Sequence, residues 1–216
     1  MRVRHFYHVY AAGAWAEPVN EHIAALVGAG FSGQITVGLV GPPADRAVAR
    51  KRLASRLAAL YDSPVDWVEQ DVGYEQVTLA ALRDWVRASS GDAAVLYAHT
   101  KGAHDNSEWN SCWRRSMTRR VVGDWRRCVG ILSGGYDTVG CHWLTSEDSV
   151  PPSHLVELPF YGGNFWWATA DYLRRLPSVA MDSRFDAETW IGRTDPRAYD
   201  LLPGWPTREL LHMTEA

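Results

Sequence analysis

Asp92-Ala-Ala-Val-Leu-Tyr-Ala98 runs directly into His99-Thr100-Lys101-Gly102. The first seven residues form a short apolar run, the clearest buried strand in the chain. The next four are polar, cationic and flexible, the composition of a loop that meets a ligand. Toward the N-terminus, strand-like and helix-like stretches alternate. Val3–Tyr10 is aromatic and β-branched and reads as a strand. Glu17–Ala29 reads as a helix with Val19, Ile23, Leu26 and Val27 on one stripe. Gly33–Val40 reads as a buried strand, and Gly41-Pro42-Pro43 as a turn opening a helix over Ala44–Leu60. In that helix Val48, Leu53, Leu57 and Leu60 face inward, and Arg46, Arg50 and Lys51 outward. Val65–Val68 is a short strand, and Glu75–Ala88 a helix carrying Val77, Leu79, Leu82, Trp85 and Val86. This β-α-β-α-β-α-β order predicts an α/β domain with a mostly parallel central sheet flanked by helices. Such sheets bind ligands at the carboxyl ends of their strands, here the segments after Tyr10, Val40, Val68 and Ala98.

Beyond Gly102 the pattern predicts a long helix over Glu108–Cys128, with Trp109, Trp113, Met117, Val121, Trp125 and Cys128 recurring about every fourth residue. Thr138–Leu144 reads as a strand and Ser146–Pro152 as a loop. Tyr161–Leu176 begins with a glycine turn and becomes helical by Ala168. The last forty residues, rich in charge and proline, carry no clear pattern.

The chain has 216 residues, enough for one sizeable core and too few for two, so 1–216 is expected to be a single domain. A net charge of −3 offers no basic field for nucleic acid or an anionic membrane. No apolar run approaches the roughly 18 residues of a membrane span. Cys112, Cys128 and Cys141 are an odd number without CxxC spacing, which argues against a disulfide framework or zinc knuckle. His5 and His8 interrupt the N-terminus where a secretory signal would be apolar. These features fit a cytoplasmic protein. Arginine outnumbers lysine twenty to two, so a position that needs only positive charge would ordinarily carry Arg, and Lys101 stands out.

Gly28-Ala-Gly30-Phe-Ser-Gly33 matches GxGxxG, but a helix precedes it and a strand follows. That is the reverse of a dinucleotide site, and the segment reads as a helix end and turn. No P-loop or GxSxG elbow is present.

Three groups could carry chemistry. In His99-Thr100-Lys101-Gly102, Lys101 could neutralise a phosphate, Thr100 donate a hydrogen bond and Gly102 admit close backbone approach. The helix N-terminus capped by Asp105–Ser107 and the Arg114–Arg115 pair lie beyond. Tyr161-Gly-Gly-Asn164-Phe-Trp166-Trp167 puts three aromatics in a row, which either line in part a surface or groove that stacks on sugar or base or form a buried wedge packing the last helix on the sheet. Asp182, Asp186 and Glu188 cluster carboxylates suited to general-base work or metal binding, or to capping a helix. Glu69-Gln-Asp71 could ligate a metal or form a solvated loop. His8 and Tyr10 share one face at the end of the first strand, with Trp15 following, as the wall of a base pocket or the sheet rim.

HVYAAGAW, VLYAHTKG and YGGNFWWATADYLRRLP followed by DAETWIG resemble bacterial and viral glycosyltransferase-like proteins of surface-polysaccharide or glycan assembly. HTK is also similar to an element of rhamnan-synthesis glycosyltransferases. The resemblance runs from about residue 7 to residue 192. It implies a GT-A-type, Rossmann-like fold that takes a nucleotide-sugar donor and transfers the sugar to an acceptor hydroxyl on a glycan, lipid-linked sugar, protein or modified nucleic acid. On that reading His8, Tyr10 and Trp15 border the nucleotide, and His99, Thr100, Lys101, Gly102 and Arg114 hold the diphosphate. Asn164, Trp166 and Trp167 position sugar or acceptor, and Asp186 or Glu188 is the general base. The DxD motif that holds Mn2+ or Mg2+ in GT-A enzymes is missing. Its nearest stand-ins are Glu69-Gln-Asp71 and Asp186-Ala-Glu188, and Lys101 is the candidate substitute for the metal's charge. A non-catalytic carbohydrate- or nucleotide-binding module is the alternative, and a nucleotidyltransferase a third reading.

Overall fold

The computed structural model describes residues 1–58, 64–105, 107–145, 159–180 and 185–204. Strands β1 (Arg2–Tyr10), β2 (Gln34–Val40), β3 (Asp66–Gln70) and β4 (Ala93–His99) alternate with helices α1 (Ala16–Gly28), α2 (Pro43–Ala58) and α3 (Gln76–Ala88). Then come α4 (Glu108–Met117), a π-helical turn at Thr118–Gly123, α5 (Trp125–Ser133), β5 (Thr138–Gly140), β6 (Trp143–Leu144), β7 (Phe160–Tyr161) and β8 (Trp166–Thr169). The last elements are α6 (Ala170–Arg175), α7 (Phe185–Thr189), a 3-10 turn at Trp190–Gly192 and β9 (Ala198–Asp200). Seven strands form one sheet in the order β3-β2-β1-β4-β8-β5-β9, and β6 and β7 form a small second sheet. Four pairings of the main sheet are parallel; those of β8 with β4 and β5 are antiparallel. The expected mostly parallel sheet flanked by helices is therefore present.

Alternation along the strands sorts side chains into two cores. Leu96 and Ala98 of β4 join Val19, Ile23 and Leu26 of α1, Leu53 and Leu57 of α2 and Met117 of α4. Val95 and Tyr97 join Leu79, Leu82 and Val86 of α3 and Tyr172 and Leu173 of α6. Val27 and Val48, expected inward, are exposed, and Ala49 takes the inward place in α2. The GxGxxG segment closes α1, with the Phe31 N–H on the Leu26 carbonyl and Gly30 at φ +56°.

Three C-terminal expectations are corrected. The helix expected over Glu108–Cys128 divides at the π turn, where the Val121 carbonyl accepts the Trp167 Nε1–H at 2.7 Å. The strand expected over Thr138–Leu144 breaks at His142, whose φ is +59°. Trp166–Thr169 is a strand in the middle of the sheet, and the helix starts only at Ala170. Phe165, Trp166 and Trp167 are consequently all buried: Phe165 and Trp167 enter one core and Trp166 the other. Three consecutive aromatics need no surface when helices cover both faces of the sheet.

Candidate functional site

The carboxyl ends of β1 and β4 and the start of α3 enclose a cleft of about 630 Å3. His8, Tyr10, His99, Thr100, Lys101, Gly102 and Glu188 line it, together with Tyr74, Glu75, Ala103, His104, Asp105 and Asn110. The strands' pairing puts His8 directly beside His99. Both lie on the α3 side of the sheet, and the first turn of α3 holds each one. His8 Nδ1 meets Thr78 Oγ1 at 2.8 Å, and His99 Nδ1 meets Glu75 Oε1 at 3.2 Å. Gly38, opposite His8 on β2, makes room for Thr78: a Cβ there would stand 1.8 Å from the Thr78 hydroxyl oxygen.

Burial pushes the His8 imidazole down to about 4 against the charge of Glu75. Burial and Lys101 push His99 down to about 4, opposed by the Gly163 carbonyl and the charge of Glu188. The His99 Nε2–H donates to the Gly163 carbonyl at 2.9 Å. Because a carbonyl only accepts, the Nδ1–Glu75 contact is attractive when one proton lies between its two atoms. Burial also pushes the Tyr97 hydroxyl well above its usual range, with Glu75 and Glu188 adding to the effect.

The loop after β4 is held from three sides. The Thr100 hydroxyl accepts the Tyr10 N–H at 3.0 Å, and the Thr100 N–H donates to the His8 carbonyl at 3.0 Å, tying the two strand ends together. Lys101 places its ammonium 3.7 Å from the centre of the Trp113 ring. Gly102 has φ +83°, and a Cβ there would meet the Arg114 guanidinium at 2.9 Å. Ser107 caps α4 by accepting the Asn110 N–H at 3.4 Å.

Other sequence candidates lie elsewhere. Arg114 is 1% exposed. It donates to Glu21 at 2.6 Å and to the Lys101 carbonyl at 2.9 Å, pairs with Glu17 at 3.4 Å, and braces the Lys101–Gly102 backbone from behind the cleft. Trp15 packs at the start of α1 with the Arg52 guanidinium over its ring. Asn164, Trp166 and Trp167 are buried and do not line the cleft, although Asn164 stands directly behind its wall, donating to Glu75 at 2.6 Å. Asp186 faces Arg193 at 3.4 Å, whereas Glu188, two residues on, lines the cleft. Glu69 and Asp71 bind Arg46 and Arg50 of α2. Asp182 lies outside the described residues. Sequence reasoning missed Glu75, Thr78 and Tyr74, although the segment after the third strand was marked as a ligand edge; Glu75 and Tyr74 belong to it.

Among solved structures, the mannosyltransferase PcManGT from Pyrobaculum calidifontis, in complex with GDP-Man and Mn2+, is similar with a TM-score of 0.55 at 15% identity. The match covers 96% of this chain and 58% of that one. TarS 1–349 from S. aureus is similar with a TM-score of 0.52 at 10% identity, over 94% of this chain and 59% of that one. A longer S. aureus TarS gives a TM-score of 0.52 at 10% identity, over 99% and 38%. The chain thus spans less than two thirds of the length of each, and at these identities the likeness is one of fold. No curated protein matches by sequence. Residues 6–189 match a family described as Domain of unknown function (DUF8361). With most of its length inside that match, the chain belongs to the DUF8361 family.

Proposed function

We propose that the chain is a GT-A-type glycosyltransferase that moves a sugar from a nucleotide-diphosphate-sugar donor to an acceptor hydroxyl. The observation that carries this reading is one cleft at the carboxyl edge of the sheet lined by both a lysine, Lys101, and a carboxylate, Glu188. The fold shared with a mannosyltransferase supports it. Tyr10 and Tyr74, 37% and 61% exposed at the rim, offer aromatic faces to the nucleotide. Thr100, Lys101 and the backbone at Gly102 receive the diphosphate, with the capped start of α4 adding partial positive charge. Glu188 accepts the acceptor's proton as the new carbon–oxygen bond forms. The bond from the sugar to the diphosphate breaks, and the diphosphate leaves with the electron pair beside Lys101. Of the two carboxylates named from sequence, Glu188 is assigned as the base because Asp186 faces Arg193 instead of the cleft.

The mannosyltransferase holds Mn2+ with its GDP-Man. Among the described residues here, no group of three or more His, Cys, Asp and Glu side chains is placed to hold a metal ion. Glu75, Asp105 and Glu188 line the cleft, where one or two carboxylates together with the donor's phosphates could hold a divalent ion, and Lys101 is the cation this reading assigns to the leaving group.

The test is thermal unfolding against a panel of nucleotide-diphosphate sugars with Mn2+, Mg2+ or EDTA, followed by turnover. A donor at about 100 times its Kd adds about 2.7 kcal/mol, a rise of roughly 5–10 °C for a chain of this size. The expected result is a shift with one donor family that survives EDTA. Glu188→Gln should lower turnover by about 10²–10⁴, and Asp186→Asn should change it only a few-fold. Donor binding without turnover against any acceptor would return the protein to a non-catalytic module. Equal loss in both variants would overturn the assignment of the base.

A further inference from the structure

Glu75 is absorbed by neither the donor nor the base assignment, yet three side chains of the cleft region converge on its carboxylate. Its side chain is 16% exposed. Oε1 faces His99 Nδ1, and Oε2 accepts the Tyr97 hydroxyl at 2.8 Å and the Asn164 Nδ2–H at 2.6 Å. Asn164 stands in a tight turn at φ +57°, a conformation that Asn tolerates better than most residues. Its amide is committed on every side, with Oδ1 taking the Trp166 Nε1–H at 2.7 Å and Nδ2 also reaching the Ala187 carbonyl at 3.3 Å. Since His99 Nε2–H binds the carbonyl of Gly163, the residue before Asn164, a ring closes through Glu75, His99, Gly163 and Asn164. That ring joins the start of α3, the end of β4 and the turn before β8. Through Ala187 it reaches α7, one residue from Glu188.

We propose that Glu75 is a positioning residue of the cleft: by holding His99 and Asn164 together it fixes α7, and with it the place of Glu188. The proposal of a transferase gives this arrangement its purpose, but the mechanical part stands without it. A carboxamide has the same shape as the carboxylate. Gln at 75 can accept from Tyr97 and Asn164 with its oxygen and donate to a neutral His99 Nδ1 with its nitrogen. A positioning role therefore survives Glu75→Gln, whereas a role in moving protons does not. Neither role survives Glu75→Leu.

The experiment has two readouts on the full chain. Amide hydrogen exchange over residues 185–192 should quicken by at least about tenfold in Glu75→Leu and stay at the wild-type rate in Glu75→Gln. Turnover, where the wild type transfers sugar, should fall by about 10²-fold in Glu75→Leu, the effect of a misplacement near 1 Å. In Glu75→Gln it should stay within a few-fold of wild type. Should Glu75→Leu fail to fold, Asn164→Ser cuts the same bond from the other side and carries the same expectations. Unchanged exchange at 185–192 in the cut variants overturns the proposal. So does a folded Glu75→Gln that is as inactive as Glu75→Leu, which would assign proton chemistry to Glu75. If the wild type turns over no donor, the transferase reading fails while the exchange comparison still decides the positioning role.

Discussion

Lowering the pH from 7.5 to 5 should remove most of the protein's stability, because imidazoles are built into its interior as neutral groups. His5 and His22 meet Nε2 to Nε2 at 2.7 Å with both side chains buried. His5 Nδ1–H donates to the Leu96 carbonyl at 3.1 Å, so His5 Nε2 is the acceptor and His22 Nε2–H the donor. A proton added to this pair has no acceptor in its hydrogen-bond chain, and Tyr7 stacks flat on His22 at 4.0 Å. Burial pushes His5, His8 and His142 from 6.5 down to about 4, and pushes His22 well below its usual range. The unfolded chain takes up protons near pH 6.5 and the folded chain not until about pH 4. The unfolded state thus binds more protons across that window, and stability is full above it and lost as pH falls through it. At pH 5 each such histidine costs about 2 kcal/mol. His5, His8 and His142 alone cost about 6 kcal/mol, against about 5–15 kcal/mol for a whole domain.

The assay is urea unfolding followed by tryptophan fluorescence at pH 7.5, 6 and 5. The free energy should fall by about 6 kcal/mol, or the protein should unfold outright near pH 5. The double variant His5→Leu/His22→Leu removes both polar partners together and should flatten the profile by about 2 kcal/mol or more. A change below about 1 kcal/mol between pH 7.5 and 5, or a double variant with the wild-type slope, would falsify the assignment of neutral buried imidazoles.

Two further substitutions probe the cleft's supports. Gly38→Ala puts a methyl where the Thr78 hydroxyl now sits, and should cost about 1–3 kcal/mol by overpacking; an unchanged urea midpoint would contradict the close approach. Arg114→Met removes the buried guanidinium that Glu21 and the Lys101 carbonyl share, and should cost about 3 kcal/mol in urea unfolding. Arg114→Lys should not restore that loss, because one ammonium cannot reproduce the guanidinium's spread of donors.

The first half of the chain was legible because its elements are local. β1 to β4 and α1 to α3 each announce themselves by periodicity, and connections between parallel strands leave few ways to assemble them. The strand-edge rule then led to His99–Gly102 at the end of β4, which does line the cleft. The second half defeats the same method. β8 enters the sheet antiparallel between β4 and β5, a pairing across more than sixty residues that no local pattern encodes. By sequence Trp166 and Trp167 fit an aromatic surface or a buried wedge equally, and the two covered faces of the sheet decide for burial. The break in the long helix is set from outside as well, since the Val121 carbonyl is committed to the indole of Trp167.

Glu75 shows why a site is harder to read than a fold. By sequence it is a carboxylate at the start of a helix, which the helix dipole alone explains. Its importance comes from Tyr97, His99 and Asn164, between 22 and 89 positions away, converging on two oxygen atoms. Arg114 errs in the opposite direction. It looks like a phosphate ligand because it lies two turns into the helix that follows the lysine loop, yet its guanidinium is paired with α1 and holds the Lys101 carbonyl from behind the cleft. In both cases the residue type is compatible with either role, and the deciding variable is which backbone and side-chain groups lie within hydrogen-bond distance. The sheet edge marks where to look, but the ligands are sorted from the braces by contacts that form only after β8 has taken its place.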